Sequence, residues 1–251
     1  ESAKLKKINI VFGISPGIDF NFNNLENINE NSDFIILLEK CLFAIKLGAT
    51  SIVLQFDDIP DHFKSKYKTK LSEGTAHSCL TNELSKRLKC NMFVIPRIYS
   101  DELIDSSKNY LLDFGVKLDK SLKVFYCGKN VVEQKINKKI KKILSNFLKN
   151  KVIFWDNFYA NDYCSRRFFI GPWKNRSRDI SIMVNPTGLI ETDLIIIDIV
   201  GNSLLNSKAA KSWRQIMLIN NIPKDIFKII KYFDSPNFTN KPLFRASKYT
   251  K

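Results

Sequence analysis

Six short apolar runs, separated by longer helical patterns, limit what this chain can fold into. Residues 7–14, 51–56, 91–95, 122–127, 151–155 and 180–184 each read as a strand, and several close on turn residues: Ser15-Pro16-Gly17, Pro96, Gly128 and Asn185-Pro186. Residues 33–47 read as a helix, with Phe34, Leu37, Leu38, Cys41, Leu42 and Ile45 on one face and Gly48 at its end. Further helices are expected at 77–88, at 103–114 ending at Gly115, and at 133–151. In the last of these Ile136, Ile140, Ile143, Leu144 and Phe147 form an apolar stripe, with lysines on the other face. Nearly continuous apolar runs suit strands covered on both faces, and strand–helix alternation points to a parallel α/β fold.

Polar and aromatic residues stand just past the strands: Ser15, Asp57-Asp58, Tyr99, Asn157 and Asn185. Polar groups gathered at strand ends favour the mouth of a (β/α)8 TIM-type barrel over an open sheet. The barrel is expected over residues 1–205 and is partial, with six of its eight strand–helix units. Residues 206–251 are expected to add a C-terminal helical extension, with helices at 208–219 and 223–233, and a polar tail from 235 onward.

The aspartate doublet ending run 51–56 carries the chemistry. Apolar strands seldom finish in two adjacent carboxylates unless something at that end needs them. Two such neighbours cannot both ionise freely, so one should keep its proton nearer neutrality and can act as an acid. Other classes of function find less support. Lys+Arg exceeds Asp+Glu by 40 − 25 = 15, yet no nucleic-acid motif or Gly-rich phosphate loop accompanies that charge. Nucleic acid is therefore disfavoured as a partner, and a solvated lysine face accounts for much of the excess. Five cysteines without a CxxC and only two histidines argue against a disulfide framework, a His-rich metal site or a Ser-His-Asp triad. No metal or organic cofactor is expected. Free thiols fit a reducing compartment, which makes the cytoplasm the expected location. No run approaches a membrane span, and the opening residues show no signal-peptide core. The first residue is not Met, which leaves processing, trimming or incompleteness open.

Four segments carry a resemblance: Ile14-Ser-Pro-Gly-Ile-Asp19, Leu54-Gln-Phe-Asp-Asp-Ile59, Trp155-Asp-Asn-Phe-Tyr-Ala-Asn-Asp-Tyr163, and Phe169-Ile-Gly-Pro-Trp-Lys-Asn-Arg-Ser177 followed by Asn185-Pro186. In this order and spacing, over about residues 8–190, they resemble glycoside hydrolase family 84, the protein O-GlcNAcases and related β-N-acetylglucosaminidases. The resemblance implies retaining, substrate-assisted hydrolysis, in which the substrate's own acetamido oxygen attacks C1, an exception to the two-carboxylate scheme. The implied substrate partner is an N-acetylglucosamine-bearing protein or glycan.

The resemblance assigns roles residue by residue. Asp57 orients the acetamido N–H. Asp58 protonates the leaving oxygen and later deprotonates water, so its pKa is expected to be tuned upward. Asn157 and Asp162 would hydrogen-bond the acetamido region and sugar hydroxyls, and Asn185 a sugar hydroxyl. Tyr99 would hydrogen-bond near the acetamido group, Trp155 would wall the N-acetyl pocket, and Tyr126 would be an aromatic neighbour. Each has a structural rival: Asn157 and Asn185 as turn or cap residues, Asp162 as a helix N-cap, Trp155 as plain core.

The match has a limit. The family's barrel begins two strands earlier, with a Gly-Phe-Tyr-Gly loop and a lysine that hold sugar hydroxyls, and no counterpart of these lies within the chain. Two readings stay open: the chain is a fragment, or another polypeptide, such as a missing N-terminal segment, completes the barrel. A catalytically incomplete glycan-binding or scaffold barrel is the alternative function, and a polysaccharide hexosaminidase a second enzymatic one. Since an open remnant exposes sheet edges, the 251 residues alone are expected to be unstable or inactive. Robust release of chromophore from a chromogenic N-acetylglucosaminide by this chain alone would contradict that.

Overall fold

The computed structural model describes residues 2–104, 109–137, 147–164, 168–205 and 207–234. The chain forms two compact units, one of residues 1–126 and 139–153, the other of residues 127–138 and 154–251.

In the first unit, after the single turn α1 (Ser2–Leu5), the strands β1 (Val11–Ile14), β2 (Ser51–Gln55), β3 (Asn91–Ile95) and β4 (Lys123–Tyr126) pair in chain order. All the pairings are parallel, with Ile14 opposite Leu54, Leu54 opposite Val94, and Val94 opposite Val124. Helices α2 (Ser32–Lys46), α3 (Phe63–Lys66), α4 (Glu73–Leu88) and α5 (Tyr110–Lys117) fill the connections. Local chemistry sets their starts: the Asn31 side chain accepts from Phe34 N–H, and Ser72 Oγ accepts from Thr75 N–H. In β2, Ile52, Val53 and Leu54 are all buried, as a strand covered on both faces requires. β1 differs, with Val11 and Phe12 exposed.

The α4 sequence buries His77, Leu80, Thr81, Leu84 and Leu88, a spacing that lays one helix face on the core. Its first turn depends on Gly74. A Cβ there would lie 2.3 Å from Tyr110 O and 2.9 Å from Phe114 N, so only glycine lets α4 approach α5 this closely. Gly115 has a similar reason. The sequence suggested a helix stop, but α5 continues through it to Lys117, and glycine stands there because a side chain would strike the Phe147 carbonyl.

In the second unit, Phe154–Asp156 of β5 (Lys151–Asp156) pair in parallel with β6 (Ile182–Val184). Two helices follow, α6 (Ile190–Leu204) and α7 (Trp213–Ile219). The core gathers Phe158, Phe169 and Trp173 with Ile195, Ile196 and Ile199 of α6 and Ile216 and Met217 of α7. The six parallel strands, following one another in chain order with helices between, are those of a partial (β/α) barrel.

Three expectations need correction. The lysine-rich helix does not begin at 133: residues 133–137 are irregular, and Ile136 forms a bridge with Arg176. Most of its remaining stretch, and the tail from 235, lie outside the described residues. The helix expected at 208–219 begins only at Trp213, where Ser212 and Gln215 form a capping box that fixes its start. Residues 223–233 form two short 3-10 turns, Lys224–Lys228 and Ile230–Tyr232. α6 itself was masked in the sequence by the continuous run Leu194-Ile-Ile-Ile197, where no period shows.

Gly74→Ala should destabilise the protein by about 2 kcal/mol, the usual scale of overpacking. Urea unfolding checks this, and a midpoint equal to the parent's would contradict the close α4–α5 approach.

Candidate active site

The end of β2 is built on Phe56. Its N–H donates to Ile95 O at 2.9 Å, and its fully buried ring stacks on His77 at 4.0 Å. His77 is itself enclosed. Burial, with Arg97 adding, lowers its pKa well below the ordinary histidine value, so the ring is neutral. Tyr110 OH accepts from Arg97 N–H and lies 2.9 Å from His77 Nδ1. The phenol thus bridges the Arg97 backbone and the imidazole, whose Nε2 is buried without a hydrogen-bond partner among the described residues. Arg97 grips Glu73 bidentately, Nε to Oε1 and Nη2 to Oε2 at 2.6 Å each. These contacts fix the segment after β3 that carries Tyr99.

On this support stand the two aspartates, and their surroundings differ. Asp57 is partly buried, and its Oδ1 is buried without a hydrogen-bond partner. Asp58 is exposed, has left-handed backbone at φ 53°, and accepts a hydrogen bond from Tyr99 OH at 2.8 Å. An upward pKa shift falls on Asp57. Burial is its largest cause, a backbone hydrogen bond opposes it, and the Asp58 charge adds to it. Desolvation, more than the neighbouring charge, sets this asymmetry. Tyr126 is buried, and its OH donates to Asp101 Oδ1 at 2.9 Å.

In the second unit the motif Trp155-Asp156-Asn157 ends β5, and Asp156 organises it. This carboxylate, fully buried, takes Arg176 Nη2 on Oδ1 at 2.6 Å and Arg176 Nε on Oδ2 at 2.8 Å. It also accepts from Trp173 Nε1 and from Phe158 N–H. Arg176 donates further to the carbonyls of Glu133, Gln134 and Lys174, and lies over the Phe158 ring. Sequence reading passed over this pair. Its signal was present, one acid inside an otherwise apolar strand and one arginine in the Gly-Pro-Trp-Lys-Asn-Arg segment.

Asn157, next along, is buried and meets Asn185. Asn185 Nδ2 donates to Asn157 Oδ1 at 3.1 Å, and Asn185 N–H donates to Asp156 O. The Asn157 amide also donates to Val131 O at 2.9 Å and, weakly, towards Cys127 Sγ at 3.3 Å. Its donors are thus partly spent on the loop after β4, while Asn185 is only half-buried. Trp155 is half-buried too. Asp162 is exposed, opens the 3-10 turn Asp162–Cys164, and accepts from Tyr163 N–H. The structure therefore brings together Asp58 with Tyr99 and Asn157 with Asn185. Among the described residues no cluster of metal-ligating side chains occurs, and no helix is long and apolar enough to cross a membrane.

Comparison with known proteins gives these residues a family. The model of a family described as beta-N-acetylglucosaminidase matches residues 1–217. The chain belongs to that beta-N-acetylglucosaminidase family. The protein O-GlcNAcases of Mus musculus and Rattus norvegicus are each 28% identical to it over 215 residues. That alignment covers 78% of this chain and 22% of each relative, so the chain spans about a fifth of their length. Two solved structures share the fold. CpGH84B superposes with a TM-score of 0.71 at 23% identity, over 87% of this chain and 40% of that one. An O-GlcNAc hydrolase mutant of Thermobaculum terrenum superposes with a TM-score of 0.74 at 22% identity, over 97% and 54%.

Two measurements test this beta-N-acetylglucosaminidase-family site. Asp156→Asn leaves Arg176 buried without its counter-charge and should cost about 3–5 kcal/mol in denaturant unfolding. A loss under about 1 kcal/mol, typical of a surface pair, would count against its role. Asp57→Asn should act in the opposite sense. The Asp57 pKa is raised on folding, so the linked stability is full below the unfolded pKa and lost as pH rises through the folded one. The asparagine variant should therefore unfold later than its parent at neutral pH and converge on it near about pH 3, below the ordinary carboxylate range. A gap that does not change with pH would contradict the buried charge.

Proposed function

We propose that the protein is a retaining glycosidase that removes β-linked N-acetylglucosamine from O-GlcNAc-modified proteins or related glycoconjugates by substrate-assisted catalysis. One observation carries the reading: a buried carboxylate oxygen without a donor, on Asp57, adjoins a carboxylate held by a tyrosine, Asp58. An acetamido N–H is the donor that Asp57 lacks. Accepting it would hold the acetamido oxygen over C1 and stabilise the positive charge that develops on the ring nitrogen of the oxazoline.

The step balances as follows. The acetamido oxygen forms a bond to C1 as the C1–aglycone bond breaks, and Asp58 gives its proton to the leaving oxygen. Water then attacks C1, Asp58 takes a proton from it, and the oxazoline C1–O bond opens to restore the acetamide. Exposure suits Asp58 to this work, because it must reach both the leaving group and the water. Tyr99, hydrogen-bonded to it, aims the carboxyl. Asn185 and Asp162, both accessible, suit sugar hydroxyls, and Asn157 positions Asn185. Trp155 offers a half-buried indole as a wall for the N-acetyl methyl.

The full-length gene product should hydrolyse a 4-nitrophenyl N-acetylglucosaminide and leave its unacetylated analogue almost untouched. Equal rates on both would sink the mechanism. Asp58→Asn should lose about 10²–10⁴ in kcat on poor leaving groups, the range of general acid catalysis, and less on good ones. Asp57→Asn should slow both classes alike, because nucleophilic participation is weakened whatever the leaving group.

A further inference from the structure

Just beyond the doublet the chain reads Phe63-Lys-Ser-Lys-Tyr-Lys-Thr-Lys70, and Lys64, Lys66, Lys68 and Lys70 are all exposed. Lys66 is engaged, donating to Ile18 O and lying over the Tyr67 ring. Lys64, Lys68 and Lys70 meet no carboxylate among the described residues. The two acids flanking the run do not compensate them, since Asp61 and Glu73 both face Arg97. The result is a patch of uncancelled positive charge.

The patch has relief. Lys64, Thr69, Lys70 and Ser72 line a polar depression of about 310 Å³. Phe63 and Tyr67 form its inner wall and belong equally to an apolar slot of about 140 Å³ walled by Ile18, Ile59 and Pro60. Ile59 and Pro60 directly follow Asp58. The slot and the basic depression thus share Phe63 and Tyr67, and the slot begins one residue after Asp58 in the chain.

We propose that this surface docks the polypeptide aglycone and selects segments rich in Asp and Glu around the glycosylated residue. The inference rests on the glycosidase reading above, in which Asp58 faces the departing aglycone. Lysines in a chain of this composition commonly make a solvated face, but a solvated face has no need of a polar depression that shares two aromatic walls with an apolar slot starting one residue past Asp58. An acidic segment meeting it gains long-range attraction and discrimination against basic or neutral competitors.

The test uses the full-length protein and short fluorescent peptides, each with one O-GlcNAc-serine flanked either by Asp and Glu or by Asn and Gln. Fluorescence anisotropy should show the acidic peptide binding about tenfold tighter, the sum expected of a few exposed ion pairs, with the preference shrinking at physiological ionic strength, about 0.15 M. Lys64→Glu, Lys68→Glu and Lys70→Glu together should abolish or invert the preference. The same three positions changed to Gln should abolish it without inverting it, which guards against misfolding of the charge-reversed protein. Equal binding of both peptides by the parent, or a preference that survives both variants, overturns the proposal. Hydrolysis of 4-nitrophenyl N-acetylglucosaminide, followed alongside, reports separately on the glycosidase reading, because peptide binding needs no turnover.

Discussion

The ion pair between Asp156 and Arg176 is the contact on which the second unit depends. Both side chains are almost wholly removed from water. Two charges so placed would destabilise a fold if left alone, since desolvation can exceed their mutual attraction. Here the deficit is offset by number: the carboxylate accepts four hydrogen bonds, and the guanidinium donates to three backbone carbonyls besides. The pair binds the end of β5 to residues 133–134 and 174, and so sets where Asn157 begins. Because Asn185 is tied to the same strand end, one buried pair fixes two candidate sugar ligands.

The first unit solves a related problem with rings. Phe56 stacks on a neutral histidine, a tyrosine hydroxyl joins that histidine to Arg97, and Arg97 closes on Glu73. All of this supports the aspartate doublet, where Asp57 keeps a buried oxygen that no group among the described residues satisfies. Native interiors rarely tolerate such an atom. In the proposed mechanism the substrate's acetamido N–H supplies the missing donor.

Much of this was legible in the sequence, for identifiable reasons. The strands announced themselves because parallel strands are apolar throughout, and the polar residues past their ends stood out against that background. The doublet and the asparagines were found that way. What escaped depends on partners far apart in the chain. Asp156 looked like one more motif residue until Arg176 was seen against it. Gly115 looked like a helix stop because its reason, the Phe147 carbonyl, lies 32 positions on (147 − 115). The helical stripe at 133–151 had a true period, yet its first residues obey a bridge and an arginine instead of their own propensity. The asymmetry between the two aspartates was invisible for the same reason: adjacency is local, but burial is not.

The left-handed backbone at Asp58 bears on how this position can change over evolutionary time. Although two lysines of this chain, Lys7 and Lys89, adopt the same region, a turn with φ of 53° strongly disfavours β-branched residues and favours glycine, asparagine and aspartate. Of these only aspartate can shuttle a proton. In the proposed mechanism, the other residues that suit this turn best, asparagine and glycine, would keep its shape and lose the proton transfer. Under the proposed mechanism, asparagine or glycine at this point would mark a relative that keeps the turn without the proton transfer, which makes the position a compact record of that chemistry.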